Sequence, residues 1–409
     1  MNLHPGSKTL RGLDRYLKSF GTDIRRYGNA SHAFKDVLLY LSRKSGIERP
    51  NVIMPGFIPA KLYRTVVAAG YEPRFYDIGK GCAFDLSEVE DLIDDQTTSI
   101  FAIHYFGHPA DVESLSAVAA RNHISLIEDC AHVLIGSING KALGSFGDFS
   151  IFSTRKMLQL SDGGVLVMNR KCPDLRATYG KRVRSIYTLS NLLSSRSKRV
   201  YMQITGGNDV LHVTRPSQVG WLDPDRPLRL DVRRMSLLTA VYEWGVDIQK
   251  VSDIRRDNYA RLLARLRMFS FLDPVYDDLP VSWTPYSLPM TTGEVDRTLL
   301  QVELLRRGIS CGLGWPESPF DDRLTKTRSL ARSVIEFPTH PLMASRQFEK
   351  IVDACASYEN SGSFRKKGNT CANSPEATSL SAAGRQSAHH DSHEHPSNKK
   401  AVAATEARL

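Results

Sequence analysis

The chain has 409 residues, 41% of them hydrophobic and 24% charged, with a formal net charge of +10. This is the make-up of a globular protein with room for two domains. It excludes a membrane span, because no run approaches the roughly 20 apolar residues that one needs, and Met1–Gly21 lacks the apolar core of a secretory signal, so the expected location is cytoplasmic.

In chain order, Phe34, Val37, Leu38 and Leu41 recur at helical spacing and predict an amphipathic helix over Ser31–Arg43. Strands are predicted at Asn51–Met54 and Arg74–Ile78, with a helix at Ala60–Ala69 between them. Asp85 with Glu88 three residues on has the form of a helix cap. Ser99–His104 reads as a strand, Val112–Asn122 as a helix, and the apolar runs Ile124–Ile127 and Phe149–Phe152 as buried strands. Strands and helices in alternation imply a mostly parallel sheet covered by helices. From 171 to 230 the pattern is irregular, serine-rich at Ser190–Ser197 and broken at Pro224–Pro227. Met235–Leu266 then predicts one or two long helices. A smaller domain follows, containing Ser282–Pro289, a helix at Glu294–Arg307 and a strand at Ser333–Phe337. The expected division is a large domain over 10–235, a small one over 236–357 and a disordered tail over 358–409, which has almost no large apolar residues.

The six cysteines form no CxxC pair and do not alternate with histidine at zinc spacing, so free thiols and no metal site are expected. Cys130 reads as a small core residue, and the tail histidines His389, His390, His393 and His395 as low-complexity sequence. Lys and Arg are scattered, and no zinc finger or RNA-binding aromatic motif accompanies them. No nucleic-acid partner is therefore expected; a solvated basic surface or an anionic substrate accounts for the charge.

Two residues carry the chemistry. Asp129 follows the run Ile124–Ile127, at the carboxyl end of a strand, where open α/β sheets bind ligands. Lys156 lies between Phe149–Phe152 and the turn Gly163-Gly164. A buried carboxylate and a lysine, each at a strand end, suit pyridoxal phosphate, one facing the ring nitrogen and the other holding the cofactor covalently.

The motifs IHYFGHPAD (Ile103–Asp111), IEDCAH (Ile127–His132), GSFGDFSIFS (Gly144–Ser153), Lys156 with Gly163-Gly164, and FPTHPLM (Phe337–Met343) occur in order. Together they make residues 10–357 resemble the DegT/DnrJ/StrS sugar aminotransferases, pyridoxal phosphate enzymes of fold type I. The resemblance implies a large, mostly parallel-sheet α/β/α domain with a smaller C-terminal α/β domain, and a homodimer. It implies that Lys156 holds the cofactor, that Asp129 partners the ring nitrogen and that His132 lies near the phenolic oxygen. Ser31, Ala30 and Ser153 match the phosphate-binding positions, although Ser31 also reads as a helix N-cap. Three departures stand out. Ser153 and Lys156 are two residues closer than is usual. Pro59 stands where a ring-stacking aromatic is expected, leaving Phe57 as the substitute. Val232 replaces an asparagine that reaches the partner subunit. The implied reaction moves an amino group from an amino acid, glutamate by family habit, to a nucleotide-linked keto-sugar, as in polysaccharide biosynthesis. A sugar dehydratase or lyase and a regulatory protein on the same fold stay open as alternatives; dehydratase relatives carry histidine in place of the lysine.

Overall fold

The computed structural model describes residues 12–160, 162–172, 174–175, 182, 233–279, 282–293, 295–318 and 320–360. The chain divides into two compact units, 1–366 and 367–409, and everything described belongs to the first. Most of the irregular stretch 171–230, Val232, the tail from 361 onward and its histidines lie outside the described residues.

The first elements are α1 (Leu13–Leu17), β1 (Asp23–Tyr27), α2 (Ala30–Ser45), β2 (Asn51–Pro55), α3 (Ala60–Ala68), β3 (Glu72–Tyr76), α4 (Leu86–Asp91), β4 (Thr97–Ile103), α5 (Val112–Arg121) and β5 (Ser125–Cys130). A small hairpin, β6 (Ser137–Ile138) and β7 (Lys141–Ala142), leads to β8 (Phe149–Phe152), the short α6 (Thr154–Met157) and β9 (Gly164–Met168). The strands form a seven-stranded sheet in the order β1-β9-β8-β5-β4-β2-β3. Pairing is parallel from β3 through β8 and antiparallel where β9 meets β8 and β1. Every residue of β2, β4, β8 and β9 is buried, as expected for strands covered on both faces.

Helix α2 buries Phe34, Val37, Leu38 and Leu41, the predicted stripe. It ends at Gly46, whose left-handed φ of 71° lets its N–H return to Ser42. Asp85 caps α4 through the Ser87 N–H, also as predicted. Strand β3 begins and ends two residues before the prediction. Its parallel register with β2 runs from Glu72 to Tyr76, and the Ile78 N–H turns away to Asp77 Oδ1 and Thr327 Oγ1.

The Met235–Leu266 stretch is two helices, α7 (Leu237–Gly245) and α8 (Ile248–Leu266), separated at Val246 and restarted by an Asp247 cap. Beyond it lie β10 (Asp273–Pro274), β11 (Ser287–Thr291), α9 (Arg297–Arg306), α10 (Thr325–Ser333), β12 (Val334–Pro338) and α11 (Ser345–Asn360). Helix α9 starts at Arg297 rather than Glu294 because Asp296 takes the N-cap. Helix α11 buries Tyr358 and continues to Asn360, so the expectation of disorder from 358 is corrected there. Strands β10, β11 and β12 make an antiparallel sheet with its own apolar core, including Tyr259, Leu262, Phe337 and Ile351. The larger core surrounds the seven-stranded sheet. No helix among the described residues is long and apolar enough to cross a membrane.

Candidate active site

Side chains alternate across a strand, so Glu128 and Asp129 in β5 face opposite ways. Glu128 is wholly buried and accepts backbone N–H bonds from Gly144 (3.0 Å), Phe146 (2.7 Å) and Gly147 (2.6 Å). His104 Nδ1 accepts from the Ala110 N–H, which leaves Nε2 protonated to donate to Glu128 at 3.2 Å. The GSFGDFS motif thus wraps around a carboxylate. His104, Glu128 and Cys130 have the donor types of a metal site and lie within ligand distance of one another. Glu128 and His104 already bond within the fold, and Cys130 is a fully buried thiol whose pKa burial raises.

Asp129 faces the other way. It pairs with Ile103 and Ile151 one residue before the end of β5, and its Oδ1 accepts from the Ala131 N–H at 2.8 Å. Burial pushes its carboxyl pKa up, against the pull of the Lys156 charge and the Ala131 bond.

Lys156 sits in α6, whose first turn hangs on the Ser153 carbonyl. Its Nζ lies 2.9 Å from His132 Nε2. His132 Nδ1 accepts the Phe106 N–H at 3.2 Å, and Phe106 has a left-handed φ of 56°. A neutral imidazole accepting at Nδ1 carries its proton on Nε2. That proton points at Lys156, so the hydrogen bond requires the lysine to accept as a free amine. Both pKa shifts agree with this. Burial lowers His132, with Lys156 and Arg255 adding to it; burial also lowers Lys156, with Asp129 opposing. A lysine held as a free amine is what covalent capture of a carbonyl cofactor needs.

The paired glycines bring two elements together. A Cβ on Gly164 would stand 2.4 Å from the Ala30 nitrogen, and one on Gly163 would stand 2.3 Å from Thr154 Oγ1. Only glycines let the first turn of α2 approach the Lys156 turn this closely. At that turn Asn29 is the N-cap, accepting both the N–H and the Oγ–H of Ser31. The reading of Ser31 as the cap is therefore corrected: it is the second residue of the helix, with Ala30 the first. Ser31 and Ser153 are both buried.

Pro59 starts α3 as its N-cap. Phe57 is wholly buried, stacked on Tyr105 and edge-on to Trp315 at 4.7 Å. Trp315 in turn lies 6.0 Å from the His132 ring. The ring directly on His132 is Tyr286, at 4.1 Å and 9°. Tyr286 and Trp315 escaped the sequence reading. Both stand far along the chain in loops beside the small sheet, where no periodicity marks them.

Lys156 also lines a cavity of about 810 Å³ with Arg255, Tyr286, Glu336, Arg346 and Lys350. Cations dominate its wall, and Glu336 is the acid among its lining residues. Burial raises the Glu336 pKa, while Ser287 Oγ donates to it at 2.8 Å. Lys61 of α3 is a further missed neighbour. Its pKa falls to about 8 through burial and through the charges of Arg155 and Lys156.

Residues 24–179 match the model of the DegT/DnrJ/EryC1/StrS aminotransferase family. The GDP-perosamine synthase of Vibrio cholerae is 29% identical over 74% of this chain and 86% of its own length. A pleiotropic regulatory protein of Geobacillus stearothermophilus is 24% identical over 85% of this chain and 90% of its own. Among solved structures, Helicobacter pylori PseC, an aminotransferase involved in the biosynthesis of pseudoaminic acid, superposes with a TM-score of 0.63. It covers 87% of this chain and 94% of PseC at 15% identity, a likeness of fold.

Proposed function

We propose, since the chain belongs to the DegT/DnrJ/EryC1/StrS aminotransferase family, that it transfers an amino group from an amino acid, glutamate foremost, to a nucleotide-linked keto-sugar. The observation that carries this is the Lys156 amine, 2.9 Å from His132 Nε2 and near the half-buried Asp129, with burial lowering the lysine pKa. The donor set fits pyridoxal phosphate. Lys156 would hold it covalently and Asp129 would face the ring nitrogen. Ser153 and the first turn of α2 would receive the phosphate, because helix N-termini attract anions, and Ser31 would join them by turning its Oγ–H away from Asn29. When bound, the cofactor supplies the electron sink for the carbanion at the donor's Cα.

The remaining work falls to the chain's own groups. As a free amine, Lys156 would take the proton from the donor's Cα as general base. His132 orients that amine through a donated hydrogen bond. Tyr286 lies flat on the His132 imidazole and fixes its plane. The cationic cavity beside Lys156 suits an anionic substrate such as a nucleotide diphosphate.

The wild-type protein, loaded with pyridoxal phosphate and mixed with L-glutamate, should lose its visible band and release 2-oxoglutarate. A loaded protein that no amino acid discharges would favour a regulatory role, the description carried by the Geobacillus relative.

The two cores support a large domain over 10–235 and a small one over 236–357, with α8 passing from one core to the other. On α7, Leu237, Val241 and Trp244 follow at intervals of four and three and are 59%, 65% and 75% exposed. Such a stripe on one helix face suits a second copy of the chain, making a homodimer. Trp244→Glu should then shift the sedimenting species from dimer to monomer; wild-type protein that sediments as a monomer at micromolar concentration would rule the dimer out.

A further inference from the structure

Arg26, Arg74 and Arg307 are partly buried, and each is matched by an acid. Arg26 meets Asp14 and Glu243, Arg74 meets Asp94, and Arg307 meets Glu303. Lys61 and Arg155 break this pattern. Among the described residues, neither side chain has a carboxylate within ion-pair distance or an acceptor within hydrogen-bond distance. Lys61 is nevertheless half-buried. Burial, then the charges of Arg155 and Lys156, lower its pKa to about 8, and no acid opposes them. A cation drawn partly out of water beside two others, with no acid to match it, is a cost to the protein standing alone.

The backbone pins this lysine at the site. Lys61 is the second residue of α3. Just before it, the Phe57 carbonyl accepts from Tyr105 Oη at 2.8 Å and the Ile58 carbonyl from Ser318 Oγ at 2.7 Å. Glu317 Oε1 accepts the Ala60 N–H at 2.8 Å, which engages that acid at the helix start. The Phe57 ring meets Trp315, which faces His132, the histidine in contact with Lys156. From the other side, Arg155 shares the wall of the 810 Å³ cavity with Lys156. Asp129 and Glu336 are the acids that act on Lys156, and neither acts on Lys61. With Lys156 serving as a neutral amine, Lys61 and Arg155 leave two positive charges unmatched. A carboxylate would cancel one of them. A phosphoryl group carries about −1.5 to −2 at neutral pH and matches both.

We propose that Lys61 and Arg155 together form a binding site for a phosphoryl group on a ligand of the Lys156 cavity. The choice of ligand rests on the aminotransferase reading above, which supplies two with this chemistry: the phosphate of the cofactor and the diphosphate of a nucleotide-linked sugar. The roles of the two residues differ. Arg155 offers a planar fork that can grip two phosphoryl oxygens, and Lys61 offers a compact charge on a flexible stem.

The test uses the full-length protein and two pairs of probes that differ by phosphate. Cofactor-free protein is titrated with pyridoxal phosphate and with pyridoxal, followed by the visible band. Cofactor-loaded protein is titrated calorimetrically with GDP and with guanosine. Lys61→Gln and Arg155→Gln should each cut the preference for the phosphorylated member of one pair by about 10- to 100-fold, the scale of hydrogen bonds to charged groups. Lys61→Arg should restore most of it. The cofactor-free Lys61→Gln protein should melt no lower than the wild type, because it has lost a like charge. A reduced preference within the first pair assigns the site to the cofactor's phosphate, and within the second to the substrate's diphosphate. Preferences unchanged in both pairs overturn the proposal, even where the variants bind every probe more weakly. None of these titrations needs amino transfer. A loaded protein that no amino acid discharges would therefore refute the aminotransferase reading and leave the phosphoryl site to stand or fall on the two preferences.

Discussion

Lys156→Ala should abolish the visible band of the lysine-bound cofactor and lower turnover by at least about 10²–10⁴-fold, the contribution of a positioned general base alone. The variant should still fold. A lysine in this place is a liability to the protein without its cofactor: burial lowers its pKa, which means the charged form is disfavoured where it stands. Removing it leaves His132 bonded to the Phe106 N–H and stacked on Tyr286. The thermal midpoint of the cofactor-free variant should therefore equal or exceed that of the wild type. Capture of pyridoxal phosphate by the wild type needs the free amine, so its rate should rise with pH along a titration centred below the usual lysine value of 10.5. Spectra and stopped-flow capture rates check both points. A visible band that survives in Lys156→Ala would remove Lys156 from the site.

What the sequence made legible was what local pattern controls. Phe149–Phe152 is an apolar run and is a buried strand with those bounds. Phe34, Val37, Leu38 and Leu41 mark the inner face of α2, whose first turn meets the Gly163-Gly164 turn. Asp129 and Lys156 stand beside such runs, so each could be placed at a strand end without knowing the sheet order; that the two strands are neighbours came from the sheet. Strand β1 was missed because Arg25 and Arg26 interrupt it; its pairing is decided by β9, more than 130 residues away. Tyr286, Trp315 and Glu336 reach the site by tertiary packing alone. Arg255 did leave a trace, as a charged residue among the buried positions Ile248, Ser252, Tyr259 and Leu262 of α8, a pattern that asks for buried partners, here the Tyr286 and Met157 carbonyls. The role of Glu128 was hidden by its neighbour. Strand alternation alone says that only one of two adjacent acids can face the site, and the wrapping of Gly144, Phe146 and Gly147 around Glu128 decides which.

Asp129→Asn should keep the lysine-bound cofactor and its visible band, yet lower kcat by about 10²–10³-fold, the usual effect of deleting one preorganised electrostatic partner from an active site. The amide matches the carboxylate in shape and can still accept the Ala131 N–H at its oxygen. It carries no negative charge, so it cannot favour a protonated ring nitrogen, and the electron sink weakens. KM for the amino donor should change little, because Asp129 acts on the ring and not on the donor. Stability should move the other way. The folded-state carboxyl pKa is raised above 3.8, so ionising Asp129 costs stability as pH rises from 3.8 through the folded value. Asparagine removes that cost. Without the cofactor, Asp129→Asn should therefore unfold at a higher temperature than the wild type at neutral pH, and the gap should close below pH 3.8. Adding pyridoxal phosphate should stabilise the wild type more than the variant, because only the wild type has a charge for the ring nitrogen to neutralise. Melting curves with and without cofactor, beside single-turnover kinetics, test the assignment. An Asn variant that turns over like the wild type would show that Asp129 does not face the ring nitrogen, whatever the melting curves do.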